Sequence, residues 1–427
     1  MKFLLAFITM IMSILAPFNV VEATEQEQTD FKPVIRFTVV SDSHVGFAGD
    51  NGTQRIQKVL SLGYDIAEND KNYGSLDAAL FVGDLTDDGR KDQFLSFMSA
   101  VNSVIDYDET DLMTVMAKSH DGYKRDKETF SYFEEMSGQP KDFHSVVNGF
   151  HFIGISASKN KDEQYTEDQR EWLTAQLDEA VKNDPAKPVF LMHHEHVFDT
   201  VYGSREEDGW GIDYFKDIFE KYPQIVHFSG HSHYPVNDPR SIWQGAFTAV
   251  GTGALKYAEF TVDGESRIHP DGYKNMAQMW LVEADAENTV RLCGYDALTG
   301  TKLCEYYINN PADASARQYT PAQQESASAA PFFADGAKLT VEKSAGKYKV
   351  TFPAAQGSDN NPVFLYRVYV FDKDGKEISY QWIMNNYWNA DTYKSVTAKV
   401  EAEKGCTIKA AAENAYGRQS EMLEYII

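Results

Sequence analysis

Cysteine is nearly absent from this chain of 427 residues: Cys293, Cys304 and Cys406 are its only thiols. None of them has the paired spacing of a thiolate zinc site, so a zinc finger is excluded. A chain this long buries a full core without disulfide staples. Positive charge is also scarce, with 40 Lys and Arg against 64 Asp and Glu and a net charge of -24. Such a field repels polyanions, which disfavours general nucleic-acid binding and docking to an anionic membrane surface. It leaves room for a small phosphate ester gripped by a local metal site. Beyond the N terminus no apolar run is long enough to span a bilayer. With 43% hydrophobic and 24% charged residues the composition is globular, and the length suits two or three domains.

The single long apolar run is at the start. Met1-Lys2 supplies positive charge, Phe3 to Ala16 is almost wholly apolar, and Pro17 ends it. Val21-Glu22-Ala23 then fits a small-residue cleavage site. Residues 1–23 are therefore expected to be a cleaved signal peptide, and the mature chain to be secreted or periplasmic. Cys293 and Cys304 flank a hairpin-like stretch, Tyr295 to Gly300. They either pair across it in an oxidising compartment or remain two separate buried thiols, and strand register decides between the two.

From Phe31 to Asn309, apolar strand-like runs alternate with amphipathic segments. The strand candidates are Val34–Ser41, Ala78–Val82, Met113–Ala117, Phe150–Ser156, Pro188–Met192 and Gln224–Phe228. They are short and continuously apolar, as strands covered on both faces should be. Thr166–Asn183 is the clearest helix, with Thr166 and Gln169 in capping-box spacing and an apolar stripe through Trp172, Leu173, Leu177, Ala180 and Val181. Asp92–Ile105 and Gly211–Lys221 are further helix candidates. The alternation predicts an α/β domain over residues 31–309. Residues 310–331 are rich in Ala, Ser, Gln and Pro and predict a linker. Residues 332–427 carry alternating strand patterns and an Asp372-Lys373-Asp374-Gly375 turn, which predict a small all-β sandwich. The stretch Glu413 to Ser420 resembles the last-strand region of fibronectin type III modules.

Chemistry concentrates where strands end, because loops there are exposed yet held by a rigid sheet. Five strand ends run in order into Asp42-Ser43-His44, Gly83-Asp84-Leu85-Thr86-Asp87, Lys118-Ser119-His120-Asp121, His193-His194-Glu195-His196 and Gly230-His231-Ser232-His233. Any one of these is a common surface turn; their joint order is not. Oxygen and imidazole donors without thiolate suit Zn, Mn or Fe. A shared carboxylate can hold two such ions, an arrangement that hydrolyses phosphate esters.

In these motifs the chain resembles the calcineurin-like metallophosphoesterase superfamily, from about Arg36 to Gly253. The resemblance implies a four-layer αββα sandwich with a binuclear site between the sheets. Carried over by position, it implies one metal held by Asp42, His44, Asp84 and His233, and a second by Asp84, Ser119, His193 and His231. It places His120 beside the leaving group. Ser119 and Lys118 stand where the family has Asn and Gly, which weakens the second site or leaves a gap for water. Asp87 stands where purple acid phosphatases have Tyr, so no tyrosinate colour is expected. Asp121 either orients His120 or is a turn residue. His194 and His196 are expected to be pocket-wall residues, and Asp88, Tyr123, Arg125 and Arg240 solvated surface.

The resemblance implies an exported phosphoesterase with two Mn, Fe or Zn ions. It would hydrolyse phosphomonoesters or small phosphodiesters by attack of a hydroxide held between the ions. The alternative is a weakened member acting as a surface-binding protein, whose C-terminal module holds a glycan or protein. A zinc protease is disfavoured, because His193 to His196 lacks His-Glu-x-x-His spacing.

Overall fold

The computed structural model describes residues 31–46, 49–122, 129–159, 163–358 and 360–427. The expected signal peptide, Tyr123 and Arg125 lie outside the described residues. Two six-stranded mixed sheets form the centre. The first runs Thr301–Ile308, Val290–Asp296, Gln278–Ala284, Ile35–Val40, Ala78–Val82, Asp111–Val115. The second runs Ile242–Gln244, Thr248–Gly251, Ile225–Ser229, Val189–Met192, Phe150–Ile155, Asp142–Val147.

Side chains alternate across each strand, so each sheet is apolar on both faces. Phe37, Val39, Leu80 and Val82 face Phe152, Phe190 and Phe228 of the other sheet and form the central core. The Phe37 ring meets Phe190 edge-on at 4.7 Å. Val40, Ala79 and Phe81 point outward, onto helices Asn51–Asn69 and Lys91–Asn102. On the far side, Ile153, Leu191 and Ile225 pack on Leu173 and Leu177 of helix Glu167–Asn183. The result is a four-layer helix–sheet–sheet–helix sandwich, the architecture that the resemblance implies. Thr166 caps its helix with the capping box that the sequence spacing predicts.

Helix Asn51–Asn69 was not expected, because Gly52 and Gly63 interrupt its pattern. Both glycines are contact points, not breakers. A Cβ on Gly52 would lie 2.6 Å from the Ser43 carbonyl, and one on Gly63 2.9 Å from Thr38 Cγ2. The expected helix Gly211–Lys221 is reduced to one turn, Lys216–Phe219. Its first residues, Gly211–Ile212, instead pair as a short strand with His196–Val197.

The C-terminal region is all-β, with a three-stranded and a four-stranded antiparallel sheet. Val350, Phe352, Tyr366, Val368, Val370 and Ile408 fill the space between them. A further apolar cluster joins this region to the α/β part: Phe260, Val262 and Met276 meet Phe364, Leu365 and Trp388. Polar ties surround it. Tyr387 Oη donates to Asp238 at 2.9 Å, Gln278 Nε2 to the Trp388 carbonyl at 3.0 Å, and Arg367 forks onto Asp263 at 2.7 and 2.9 Å. Residues 310–331 connect the two parts without hanging free. Gln244 Oε1 accepts from the backbone of Gln318 and Tyr319, and helix Pro321–Ala327 is capped by Thr320.

Cys293 and Cys304 are free thiols. In the hairpin Cys304 lies opposite Gly294 and Cys293 opposite Glu305, so the two side chains occupy opposite sheet faces. Register thus decides against the disulfide. No described helix is long and apolar enough to cross a membrane.

Candidate metal centre

The strand ends of the two sheets converge at one edge of the central core. Asp42 and His44 follow Ile35–Val40, and Asp84 follows Ala78–Val82. His231 and His233 follow Ile225–Ser229. All five adopt left-handed backbone, with φ of 55° at Asp42, 41° at His44, 47° at Asp84, 73° at His231 and 59° at His233. Non-glycine residues avoid this region, and such strain persists where surrounding structure imposes it, typically at functional sites. Neighbouring glycines leave the room. A Cβ on Gly230 would lie 2.4 Å from Asp42 Oδ2, and one on Gly83 2.6 Å from the His194 ring.

Two sets of ligand atoms result: Asp42, His44 and His233, and Asp84, His194 and His231. Asp84 Oδ2 lies 3.9 Å from His44 Nε2 and 3.3 Å from His194 Nε2, so one carboxylate faces both sets. A third set, His44, Asp87 and His120, sits at the outer lip.

The second of these sets corrects the sequence assignment. His193 does not reach the centre. It points into the outer core among Tyr165, Phe215 and Phe219, with Nδ1 2.5 Å from His227 Nε2. His194 takes the expected place. Residues 190, 192 and 194 share the face toward the other sheet, and residues 189, 191 and 193 the face toward the helices. His196 lies behind the centre, held between the hydroxyls of Ser229 at 2.8 Å and Ser232 at 2.7 Å. Glu195 is buried and accepts from Tyr165 and Gln164.

The donors are arranged for a cation. His194 Nδ1 donates to the Val82 carbonyl at 2.8 Å and His233 Nδ1 to the Tyr257 carbonyl at 3.2 Å, which turns each Nε2 inward. Among the described residues Asp42 Oδ1 and His194 Nε2 are buried and make no well-aligned hydrogen bond, their contacts being ion pairs with His233 Nε2 at 3.1 Å and Asp84 Oδ2 at 3.3 Å. Buried polar atoms are rarely left so, and a metal ion is one group that satisfies them. Burial pushes the Asp42 carboxyl up, but His233 and His194 outweigh it and hold it well below the usual carboxylate range. Burial pushes His194 down, yet Asp84 and Asp42 raise it well above its ordinary value. The residues present fit a binuclear oxygen–imidazole site.

Ser119 and His120 lie against Asp84. Ser119 Oγ donates to Asp84 Oδ1 at 2.7 Å and the His120 amide reaches the same oxygen at 3.2 Å. The His120 ring stands edge-on to His44 at 4.4 Å, and its Nδ1 is 2.9 Å from the Asp87 carbonyl. Asp121 does not orient it. Its carboxylate accepts from the Leu85, Thr86 and Ala117 amides and the Thr86 hydroxyl, which ties together the loops carrying Asp84 and His120. Lys118 turns away, and its ammonium donates to the Ser158 and Glu163 carbonyls. Arg240 is away from the centre, forked onto Asp238 and stacked on Tyr202.

The rim carries residues that no spacing in the sequence marks. Tyr257 packs on the His233 ring at 4.1 Å. Trp210 stands edge-on to His231 at 4.9 Å, with the Arg267 guanidinium 4.9 Å from its ring centre.

Residues 35–235 match the family model described as calcineurin-like phosphoesterase. Comparison with curated proteins finds no match. Among solved structures, the fold is similar to purple acid phosphatase PPD1 from yellow lupin (Lupinus luteus) seeds. That match has 14% identity and a TM-score of 0.47, over 67% of this chain and 55% of that one. The chain thus spans about half the length of the lupin protein. It is also similar to GAP50, the anchor in the inner membrane complex of Plasmodium, at 12% identity and a TM-score of 0.46, over 65% and 90% of the two chains. A third similarity is to phosphopantetheinyl hydrolase from Mycobacterium tuberculosis, at 13% identity and a TM-score of 0.29, over 51% and 89%.

Proposed function

We propose, on the premise that residues 35–235 match the calcineurin-like phosphoesterase family model, that the chain is an exported hydrolase of small phosphate esters. The observation that carries this reading is the pair of ligand sets sharing a face of Asp84. Asp42, His44 and His233 would hold one ion, and Asp84, His194 and His231 the other. Mn, Fe or Zn suits these donors. Bound there, the ions would supply Lewis acidity to the phosphoryl oxygens and lower the pKa of an attacking water.

The chain's own residues do the rest. Ser119 and the His120 amide fix the Asp84 carboxylate. The Asp87 carbonyl accepts from His120 Nδ1 and fixes the ring, and the imidazolium form of that ring would give its Nε2 proton to the departing alkoxide. Asp121 keeps the two loops in register. Asp84→Asn should lower hydrolysis of an aryl phosphate by several orders of magnitude while the melting curve stays cooperative. Retained activity with two ions bound would remove Asp84 from the site. Export is tested by the N-terminal mass of the protein recovered outside the producing cell.

Ser119 favours a second reading, a binding protein with a weakened second site. Its hydroxyl is occupied by Asp84, whereas the family's Asn offers an amide oxygen. One ion per chain and no turnover would support it over the enzyme.

A further inference from the structure

The site sits in a protein of net charge -24, so a phosphate approaching it needs a local cation beyond the metals. Around the centre most described cations are engaged. Lys118 donates to carbonyls, Lys256 reaches Asp50 and the His44 carbonyl, and Arg90 meets Asp88 and Asp92. Arg267 differs. Among the described residues no carboxylate pairs with it, and its one contact is the face of Trp210, which abuts His231. Its backbone is left-handed at φ 62°, a cost for a side chain of this size.

That backbone falls where the hairpin register shifts, with Phe260 opposite Ile268 but Val262 opposite Glu265. Arg267 lies on strand Glu265–Ile268, the second strand of a hairpin with Phe260–Val262. The turn uses Asp263 at φ 51° and Gly264 at φ 81°, the paired left-handed residues of a tight hairpin. The C-terminal module grips this hairpin twice. Phe260 and Val262 pack into the cluster with Phe364, Leu365 and Trp388. Arg367 forks onto Asp263 at 2.7 and 2.9 Å while also holding Glu413 at 2.6 and 2.9 Å. Removing the module would leave the hairpin, and Arg267 with it, without its anchor.

We infer that Arg267 receives the phosphoryl oxygens of the substrate, and that the C-terminal module, through Arg367 and Asp263, is the positioning device that keeps it over Trp210, the ring that abuts His231. The inference rests on the phosphoesterase reading for its ligand class. A guanidinium suits a phosphoryl group because its planar fork matches two oxygens at once. Stacking on Trp210 fixes the plane of that fork and leaves its edge open.

The test uses the full chain loaded with Mn and inorganic phosphate as the probe, followed by calorimetry, with an aryl phosphate assayed in parallel. Arg267→Ala should weaken phosphate binding about tenfold to a hundredfold, the range for hydrogen bonds to charged groups. Arg267→Lys should recover part of the loss. Asp263→Asn, which leaves Arg367 its Glu413 partner, should weaken phosphate in the same direction. Combined with Arg267→Ala it should add nothing, because both act through one contact. Unchanged phosphate affinity in Arg267→Ala overturns the contact. Independent, multiplying effects of the two substitutions overturn the clamp. A wild-type chain that binds two ions and phosphate but hydrolyses no ester defeats the proposed activity and leaves this inference standing. Ester hydrolysis with KM unchanged in Arg267→Ala does the reverse.

Discussion

One step along a strand turns a side chain to the opposite face of the sheet. At the end of Val189–Met192 that step separates the candidate ligand His194 from the core residue His193. His194→Ala should lower bound metal from two ions to one per chain, and with metal withheld its melting temperature should stay close to that of wild type treated in the same way. His193→Ala should keep both ions and lower the melting temperature, because it empties a space among Phe215, Phe219 and His227. Metal analysis beside thermal melting separates the two, and the opposite pattern would restore His193 to the site. Ser119 is the other residue at which chemistry turns on one atom. Ser119→Asn would trade a hydroxyl that donates to Asp84 for an amide oxygen able to reach the second ion. Tighter second-ion binding, followed by hydrolysis against added metal, is the expected outcome. Lys118 points away from the centre, so the single substitution should suffice.

Strands Val189–Met192 and Ile225–Ser229 place His193 and His227 side by side in an apolar layer. Burial pushes His193 down to about 4, and burial with the neighbouring His193 pushes His227 well below its ordinary value. The unfolded chain therefore binds protons below about pH 6.5 that the folded chain refuses. Stability from this pair is complete above that pH. It falls as the pH drops toward 4, by up to about 1.4 kcal/mol per residue per pH unit. A His193→Leu/His227→Leu variant should show a shallower decline of urea midpoint between pH 6.5 and 4 than wild type. An identical slope would mean that the pair does not govern it.

Elements of this kind show what could be read beforehand. The six parallel-type strand runs and the Thr166 cap were legible because apolar continuity and capping chemistry are local. The choice between His193 and His194 was not, because Val189, Phe190, Leu191 and Met192 are all apolar and give no hint of which face meets the other sheet. Helix Asn51–Asn69 was hidden by glycines whose role, close approach to Ser43 and Thr38, exists only in the folded chain. Arg267 and Trp210 became neighbours of the centre through a hairpin that contacts residues about a hundred positions away in the chain, and no spacing rule reports that.

For the whole molecule, the cluster around Trp388 makes the two regions depend on each other. A fragment ending at Asn309 would expose Phe260, Val262 and Met276, all buried in the full chain. Read as a linker, residues 310–331 would be a place where a cut releases an active fragment ending near Asn309. The packing predicts instead that this fragment loses solubility or melts well below the full chain. Trp388→Ala in the intact protein should cost about 3–5 kcal/mol, as removal of a fully buried aromatic does. Proteolysis that cuts within residues 310–331 and leaves the two pieces associated on gel filtration would agree with this. Clean separation into two stable, active pieces would oppose it.

The left-handed turns at Asp42, His44, Asp84, His231 and His233 also bear on how the protein ages. Each keeps a conformation costing on the order of 1–3 kcal/mol, and each is held by short loops rather than by sheet ladders. A cation bridging those loops would share that load, since anything bound only by the folded state stabilises it. Depletion of metal would then do more than silence the centre. It would open the strand tips first, while the central layer of Phe37, Phe152 and Phe190 stayed closed. Shelf life and resistance to proteases would follow the metal content of the medium before they followed temperature.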